Sequence, residues 1–336
     1  MFKFNFFFVA LFSGLPLAHA VPENQVAVSL RSELIPFFES GKPLNFVGSR
    51  GLNIHTYAFE VPGAKRAIVI APGRTESSLK FAEVLFDLRS LGYSMYIIDH
   101  RGQGLSDREL RSAGTPDLGY VEDFDDYVAD FAKFMNQIVE PKGYEETYLL
   151  AHSMGGAISA LYAASHPGAF TKIVFNSPMF AINTAPYPGA IAQALAGTLT
   201  AVGQGAKLAP GQKPYPESPF EGNKLTTSRS RFEMAEALVA YKPATAVGGP
   251  SNRWVHEGLI ATHQIHRLKA DQIAVPTLLF QAEADQIVKL KGQDQFCDKM
   301  KSCRKISFPG AQHEILNEID STRDRAMETI TSFFSN

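Results

Sequence analysis

The apolar positions along the chain keep two rhythms that alternate. At 66–71, "RAIVIA" is a short unbroken apolar run stopping at Pro72-Gly73, as expected of a strand buried on both faces of a parallel sheet. Next, "LKFAEVLFDLRSLG" sets Leu79, Ala82, Leu85, Phe86 and Leu88 on one side of a helix. "YSMYIID" then predicts a second buried strand. Phe124, Tyr127, Val128, Phe131, Phe134, Met135 and Ile138 recur every three or four residues and predict a long amphipathic helix. "TYLLA", a helix from Gly155 to His166 and "KIVFNSP" extend the series. Strands and helices in alternation predict an α/β fold, a mostly parallel sheet with helices on both faces.

The rhythm stops near Phe180 and resumes at "VPTLLFQAEAD". The intervening residues, about 181–272, are rich in Pro, Gly, Ala and Thr and hold one amphipathic piece, "RSRFEMAEALVAY". They far exceed an ordinary connection and predict a cap inserted over the sheet. Beyond it come a strand to Gln281, a helix through "KGQDQFCDKMK", a strand "KISFPG" and a final helix from about Ser321. This register leaves Ser153, Asp285 and His313 each just past the carboxyl end of a strand, where open α/β sheets place their ligands.

The stretch "AHSMGG", residues 151–156, follows one of those strands and opens a helix, the context of a nucleophile elbow. A serine that only caps the helix would not need small residues on both sides. Gly155 is where a side chain would collide with the neighbouring strand. Ala151, where the usual motif has glycine, is the smallest side chain the turn can carry instead. Such a serine needs a base, an orienting acid and donors for an oxyanion. "PGAQHEIL" offers His313 as the base. "QAEADQIV" offers Glu283 and Asp285, and Asp285 is preferred because it lies deeper in the loop leading away from the strand. The oxyanion donors expected are the N–H groups of Met154, after the nucleophile, and of Arg74 in "APGRTES", where Gly73 permits close approach.

Composition changes the picture little. The sequence has 336 residues with 32 Lys and Arg against 34 Asp and Glu, a balance that argues against a nucleic-acid partner. No internal repeat or low-complexity tract occurs. The first twenty residues differ from the rest: Lys3 is followed by a Phe-rich apolar run that closes on Ala18-His19-Ala20, the pattern of a secretory signal peptide cleaved before Val21. An uncleaved membrane anchor is the alternative, though the run is short for a span. Later segments do not read as transmembrane, and no cysteine follows the cleavage site to carry a lipoprotein anchor. Cys297 and Cys303 can pair in an exported protein, but only if the helix between them ends near Lys299 to Lys301.

With these residues in view, the chain resembles the α/β-hydrolases of the bacterial lysophospholipase and monoacylglycerol lipase group. The resemblance is carried by "APGRTES", "YIIDHRGQGLSDR", "LLAHSMGGAIS", "PTLLFQAEADQIV" and "PGAQHEIL", with "VGGPSNRWVHE" in the cap. It implies a triad of Ser153, Asp285 and His313 and oxyanion donors at Met154 and Arg74. It also implies a cofactor-free, metal-free serine hydrolase acting on a lipid acyl ester, with peripheral contact at a membrane where that lipid resides. A general esterase or transacylase would use the same triad, and a binding protein could keep the same fold. Many relatives carry His-Gly where this chain has Pro72-Gly73.

Two further stretches carry candidate chemistry. In "DHRGQGLSD", Asp99, His100 and Arg101 resemble a catalytic cluster, but the glycines point to a backbone-dense turn and a structural role. In the cap, Arg253, His256, His263, His266 and Arg267 form a basic stretch around Trp254, without the carboxylate pattern of a metal site. A solvated helical face is its simplest reading. A site for a lipid phosphate is the alternative, which makes Arg253, Trp254 and His256 the substrate-binding candidates at the mouth of an apolar slot.

Overall fold

The computed structural model describes residues 20–110, 117–215 and 219–336. The signal-peptide reading of residues 1–20 therefore falls, apart from Ala20, outside the described residues. One eight-stranded sheet forms the centre, in the order β1-β2-β4-β3-β5-β6-β7-β8. The strands are β1 Lys42–Val47, β2 Asn53–Phe59, β3 Arg66–Ala71, β4 Ser94–Ile98, β5 Glu146–His152, β6 Lys172–Asn176, β7 Thr277–Ala282 and β8 Cys303–Phe308. From β4 to β8 every neighbouring pair is parallel, whereas β1 pairs antiparallel with β2, and β2 antiparallel with β4. This is the α/β-hydrolase architecture expected.

The period of two divides each central strand between two cores. Ile68, Ile70, Tyr148 and Leu150 pack into the layer holding α1 Val26–Ser29, α2 Ile35–Glu39, α3 Ala82–Leu88 and α10 Asp320–Ser335. Ala67, Val69, Ala71, Leu149 and Ala151 face the opposite layer, built on α4 Phe124–Phe134 and α5 Ser153–Ser165. The predicted helix "LKFAEVLFDLRSLG" is shorter than its pattern: a 3-10 turn at Ser78–Phe81 leads into α3. Glu83 and Asp87 of α3 are buried too, because Arg231 and Arg323 reach in to pair with them.

The long insertion is not one cap, which corrects the reading of 181–272 as a single unit. It contains α6 Gly189–Leu199, α7 Arg229–Tyr241 and α8 Asn252–Arg267. Helix α8 packs against α4, α5 and α9 Leu290–Lys299, burying Trp254, Ala261 and Ile265 in the core. It is the crossover helix that the parallel pair β6–β7 requires. Helix α7 lies on the other side, against α1, with Met234 and Leu238 in that second core. Among the described residues, α6 and the loops flanking it remain as a cover, with α6 resting on α8. Among the described residues no helix is long and apolar enough to cross a membrane.

The sulfurs of Cys297 and Cys303 are joined in a disulfide, with their Cα atoms 5.2 Å apart. The geometry is available because α9 ends at Lys299 and the chain turns back into β8 at Cys303.

Candidate active site

The turn from β5 into α5 holds Ser153 at φ 48°, a left-handed conformation that few non-glycine residues adopt. The neighbours explain how the strain is accommodated. Ala151 pairs directly with Ala71 of β3. A Cβ built on Gly155 would fall inside the carbonyl oxygens of Ala71 and Pro72, so only glycine lets α5 start this close to β3. Gly156 is similarly tight against Pro178.

Three loops converge on that serine. Ser153 Oγ lies 2.8 Å from His313 Nε2, and His313 Nδ1 lies 2.6 Å from Asp285 Oδ2. A carboxylate oxygen accepts, so Nδ1 carries the hydrogen and Nε2 is left to accept from the serine hydroxyl. The other carboxylate oxygen of Asp285 accepts from the N–H groups of Ile287 and Val288, at 2.7 and 3.0 Å, which fixes its plane. Glu283 is exposed on the same loop and is not part of this chain of hydrogen bonds.

The two N–H groups expected to serve an oxyanion have no fixed partner among the described residues. That of Met154 lies in the first turn of α5, where the helix offers no acceptor. That of Arg74 has no acceptor among the described residues. Its loop lies against the nucleophile: a Cβ on Gly73 would sit 3.0 Å from Ser153 Cβ. Both sides of Gly73 are pinned. Its N–H donates to Glu76 Oε2 at 2.5 Å, and its carbonyl accepts from Gln103 Nε2 at 2.7 Å. Gln103 Nε2 also donates to the Glu76 carbonyl at 2.8 Å. In a trans peptide the C=O and the following N–H point in opposite directions. Holding the Gly73 carbonyl on Gln103 therefore turns the Arg74 N–H the other way.

Glu76 belongs to a buried charged cluster that sequence reasoning missed. Lys80 pairs with both Glu76 and Glu314, and His152 packs its ring 4.9 Å from that of His313. Burial works against the Glu314 charge, yet the adjacent Lys80 ammonium and His152 bring its carboxyl down to about 2. Glu76, His152 and Glu314 could surround a cation. The Lys80 ammonium already takes that place. The cluster thus ties the Gly73 loop, the residue before the nucleophile and the residue after the triad histidine into one unit.

Asp99, His100 and Arg101 serve the scaffold. Asp99 accepts from the N–H groups of Ser78 and Leu105, and Arg101 is buried among Asp126, Asp130 and Glu109. Burial pulls the His100 imidazole down to about 4, so it is neutral. Only Gln103 of this stretch reaches the site. Nothing local in the sequence marks it, because its partners lie about thirty residues upstream.

The cap candidates divide. Trp254 lines a cavity of about 450 Å³ together with Ile182, Tyr187, Leu195, Ala196 and Val255. Arg253 and His256 do not line it, which corrects their placement at its mouth. The Arg253 guanidinium is held by the carbonyl and carboxylate of Glu122 and pairs with Glu257. The His256 ring fills the space beside Gly197 of α6. His263 and Arg267 are exposed, in keeping with a solvated helical face.

A doubly wound sheet carrying a serine on a strained strand-to-helix turn, bonded in series to a histidine and a carboxylate, defines an α/β-hydrolase. The serine aminopeptidase S33 family model matches residues 62–320, and the chain belongs to that family. It is 37% identical over 323 residues to lysophospholipase L2 of Escherichia coli K12, spanning 93% of each chain. It is 31% identical over 307 residues to the probable lysophospholipase L2 of Haemophilus influenzae, covering 90% of this chain and 95% of that one. Among solved structures, a monoglyceride lipase of Saccharomyces cerevisiae superposes with a TM-score of 0.67 at 18% identity, covering 88% of this chain and 96% of that one.

Proposed function

We propose that this protein hydrolyses the single acyl ester of a lysophospholipid or monoacylglycerol through an acyl-enzyme, and the hydrogen-bonded series Ser153–His313–Asp285 carries that reading. Ser153 Oγ attacks the acyl carbonyl carbon while its proton passes to His313 Nε2. Asp285 holds the imidazole in register and stabilises the imidazolium. The carbonyl oxygen, now an oxyanion, accepts from the N–H groups of Met154 and Arg74. Collapse of the tetrahedral intermediate breaks the ester bond to the glycerol oxygen, which takes its proton from His313. Water, deprotonated by the same histidine, then attacks the acyl-serine and releases the fatty acid.

The reading takes the cavity beneath α6, which Trp254 lines and no triad residue touches, as the place of a single acyl chain. Its volume of about 450 Å³ falls in the usual small-ligand range of roughly 300–1,000 Å³. A second acyl chain would share that space or stay in water, losing about 0.8 kcal/mol for each CH₂ left unburied. The same reading includes peripheral contact with a lipid surface, since α6 exposes Ile191 and Leu195 beside Tyr187 and no charged residue occurs from 173 to 206. It also includes export. The support for export is the apolar run closing on Ala18-His19-Ala20; Val21, the next residue, is buried and its carbonyl accepts from Arg231.

A fluorophosphonate probe followed by peptide mass mapping tests the assignment. The reading predicts one adduct, on the peptide containing Ser153, and loss of labelling in Ser153→Ala. An adduct elsewhere, or none, contradicts it. N-terminal sequencing of the exported protein should begin at Val21; an intact Met1 contradicts export with cleavage.

A further inference from the structure

Three buried arginines of this fold are matched with carboxylates. Arg101 pairs with Asp126, Asp130 and Glu109, Arg231 with Glu83 and Asp320, and Arg323 with Glu83 and Asp87. Arg74 is different. Its guanidinium makes one hydrogen bond, from Nη2 to the Gly248 carbonyl at 2.5 Å, and lies 5.0 Å over the Trp254 ring. Its Nε is buried with no partner, and it forms no ion pair among the described residues. Burial pulls the group down to about 10, with no carboxylate near enough to oppose the shift.

The guanidinium is only partly buried, and a cation in such a place without a counter-charge is disfavoured unless something supplies the missing acceptor. Here the position suggests what that is. The preceding residue, Gly73, lies against Ser153, so the guanidinium is tethered one side chain away from the nucleophile's loop. Trp254, on which it stacks, also lines the 450 Å³ cavity. In a lysophospholipid only the glycerol backbone separates the acyl ester from the phosphodiester. An arginine side chain spans a comparable length, and guanidinium is the side chain best matched to phosphate oxygens.

Resting on the hydrolase reading above, we propose that the Arg74 guanidinium is the anion-recognition point of the site: it binds the phosphodiester on the alcohol side of the ester and so favours lysophospholipids over neutral monoacylglycerols. Arg253, the cation that the sequence pointed to, is already neutralised by Glu122 and Glu257. Arg74 therefore contributes to the site twice, through its N–H to the oxyanion and through its side chain to the head group.

The two contributions separate in a ratio. Lysophosphatidylethanolamine and monoacylglycerol with the same acyl chain are compared in the same micelles, for the parent and for Arg74→Met and Arg74→Lys. Any general disturbance of the oxyanion loop lowers both substrates and cancels. A lost hydrogen bond to a charged group predicts that Arg74→Met lowers the ratio of kcat/KM values by about tenfold to a hundredfold, mainly through KM, with Arg74→Lys intermediate. A ratio within twofold of the parent overturns the proposal and leaves Arg74 as packing for Trp254. The unsubstituted protein supplies a second test should the variants not fold. Glycerol 3-phosphate at millimolar concentration should inhibit monoacylglycerol hydrolysis competitively, and glycerol should not. Absence of inhibition overturns the proposal as well. A parent enzyme that hydrolyses neither lipid would instead refute the hydrolase reading itself.

Discussion

Replacing Gln103 by Leu tests whether the second oxyanion donor is set by a side chain far from it in sequence. The amide of Gln103 holds two buried carbonyls, those of Gly73 and Glu76, at 2.7 and 2.8 Å. Leucine fills much of the same volume and satisfies neither. Leaving one such carbonyl without its donor costs about 1–3 kcal/mol, so Tm should fall by several degrees. The larger effect is on turnover. Without Gln103 the Gly73 carbonyl keeps only the longer bond from the Glu76 N–H at 3.4 Å, so the peptide between Gly73 and Arg74 is held less firmly and the Arg74 N–H spends less time aimed at the oxyanion. Loss of one donor of this kind costs on the order of 10²–10³ in kcat. Because Glu76 still holds the Gly73 N–H, the loss should be partial, about tenfold to a hundredfold. KM should change little, since the donor acts on the transition state and not on the bound ester. Steady-state kinetics on a nitrophenyl ester, well below the Tm of both proteins, give the two constants. Gln103→Asn, which keeps the amide but shortens its reach, should recover part of the loss. If the folded Gln103→Leu protein keeps kcat within twofold of the parent, the amide does not orient that peptide and the argument fails.

Three other predictions follow from the same structure. Ser153→Ala and His313→Ala should each lower kcat by about 10⁴ or more, and the double variant should lose nothing further because the pair acts as one unit; additive losses in kinetic assays would contradict this. His100 is neutral in the fold because burial pulls it to about 4 from 6.5, so its contribution to stability is complete above pH 6.5 and is lost as the pH falls through 4. Denaturant titrations should therefore show His100→Gln gaining on the parent by about 3 kcal/mol as pH drops over that window, whereas a pH-independent difference would refute it. Asp87, raised to about 6 by its own burial, works in the opposite sense in both proteins and drops out of the comparison. Reducing the Cys297–Cys303 bridge, which closes a loop of only six positions, should cost about 2 kcal/mol, and thiol titration of the denatured, unreduced protein should return none.

The strands most legible in the sequence are those buried on both faces, although the edge strand β8 was read as well. β3, β4, β5, β6 and β7 consist largely of apolar side chains, so their runs stand out from any neighbourhood. β1 went unread because an edge strand carries polar residues, four of its six positions being exposed, and β2 because Asn53, His55 and Thr56 break its apolar run although most of it is buried. The triad was legible for a related reason, as a topology of parallel strands fixes which loop ends meet above the sheet. Partners brought by distant segments were not. Nothing near Arg253 announces Glu122, 131 positions away, and Arg74 drew notice for its N–H and not for a guanidinium without a counter-charge. Helix α6 offered little signal because "GAIAQALAGTL" is apolar or small nearly all round, and α8 reads as amphipathic whether it covers a cap or crosses behind the sheet.

The central claim is that Ser153 serves a site for one acyl chain. Initial rates on a lysophosphatidylcholine, the matching monoacylglycerol, the matching diacyl phosphatidylcholine and a short nitrophenyl ester, measured side by side with the parent and Ser153→Ala, test it most directly. The account predicts that both single-chain lipids are cleaved, that the diacyl lipid is slower by about tenfold or more, and that Ser153→Ala cleaves none of them. Equal rates on diacyl and monoacyl lipids, or substantial turnover by Ser153→Ala, would contradict it.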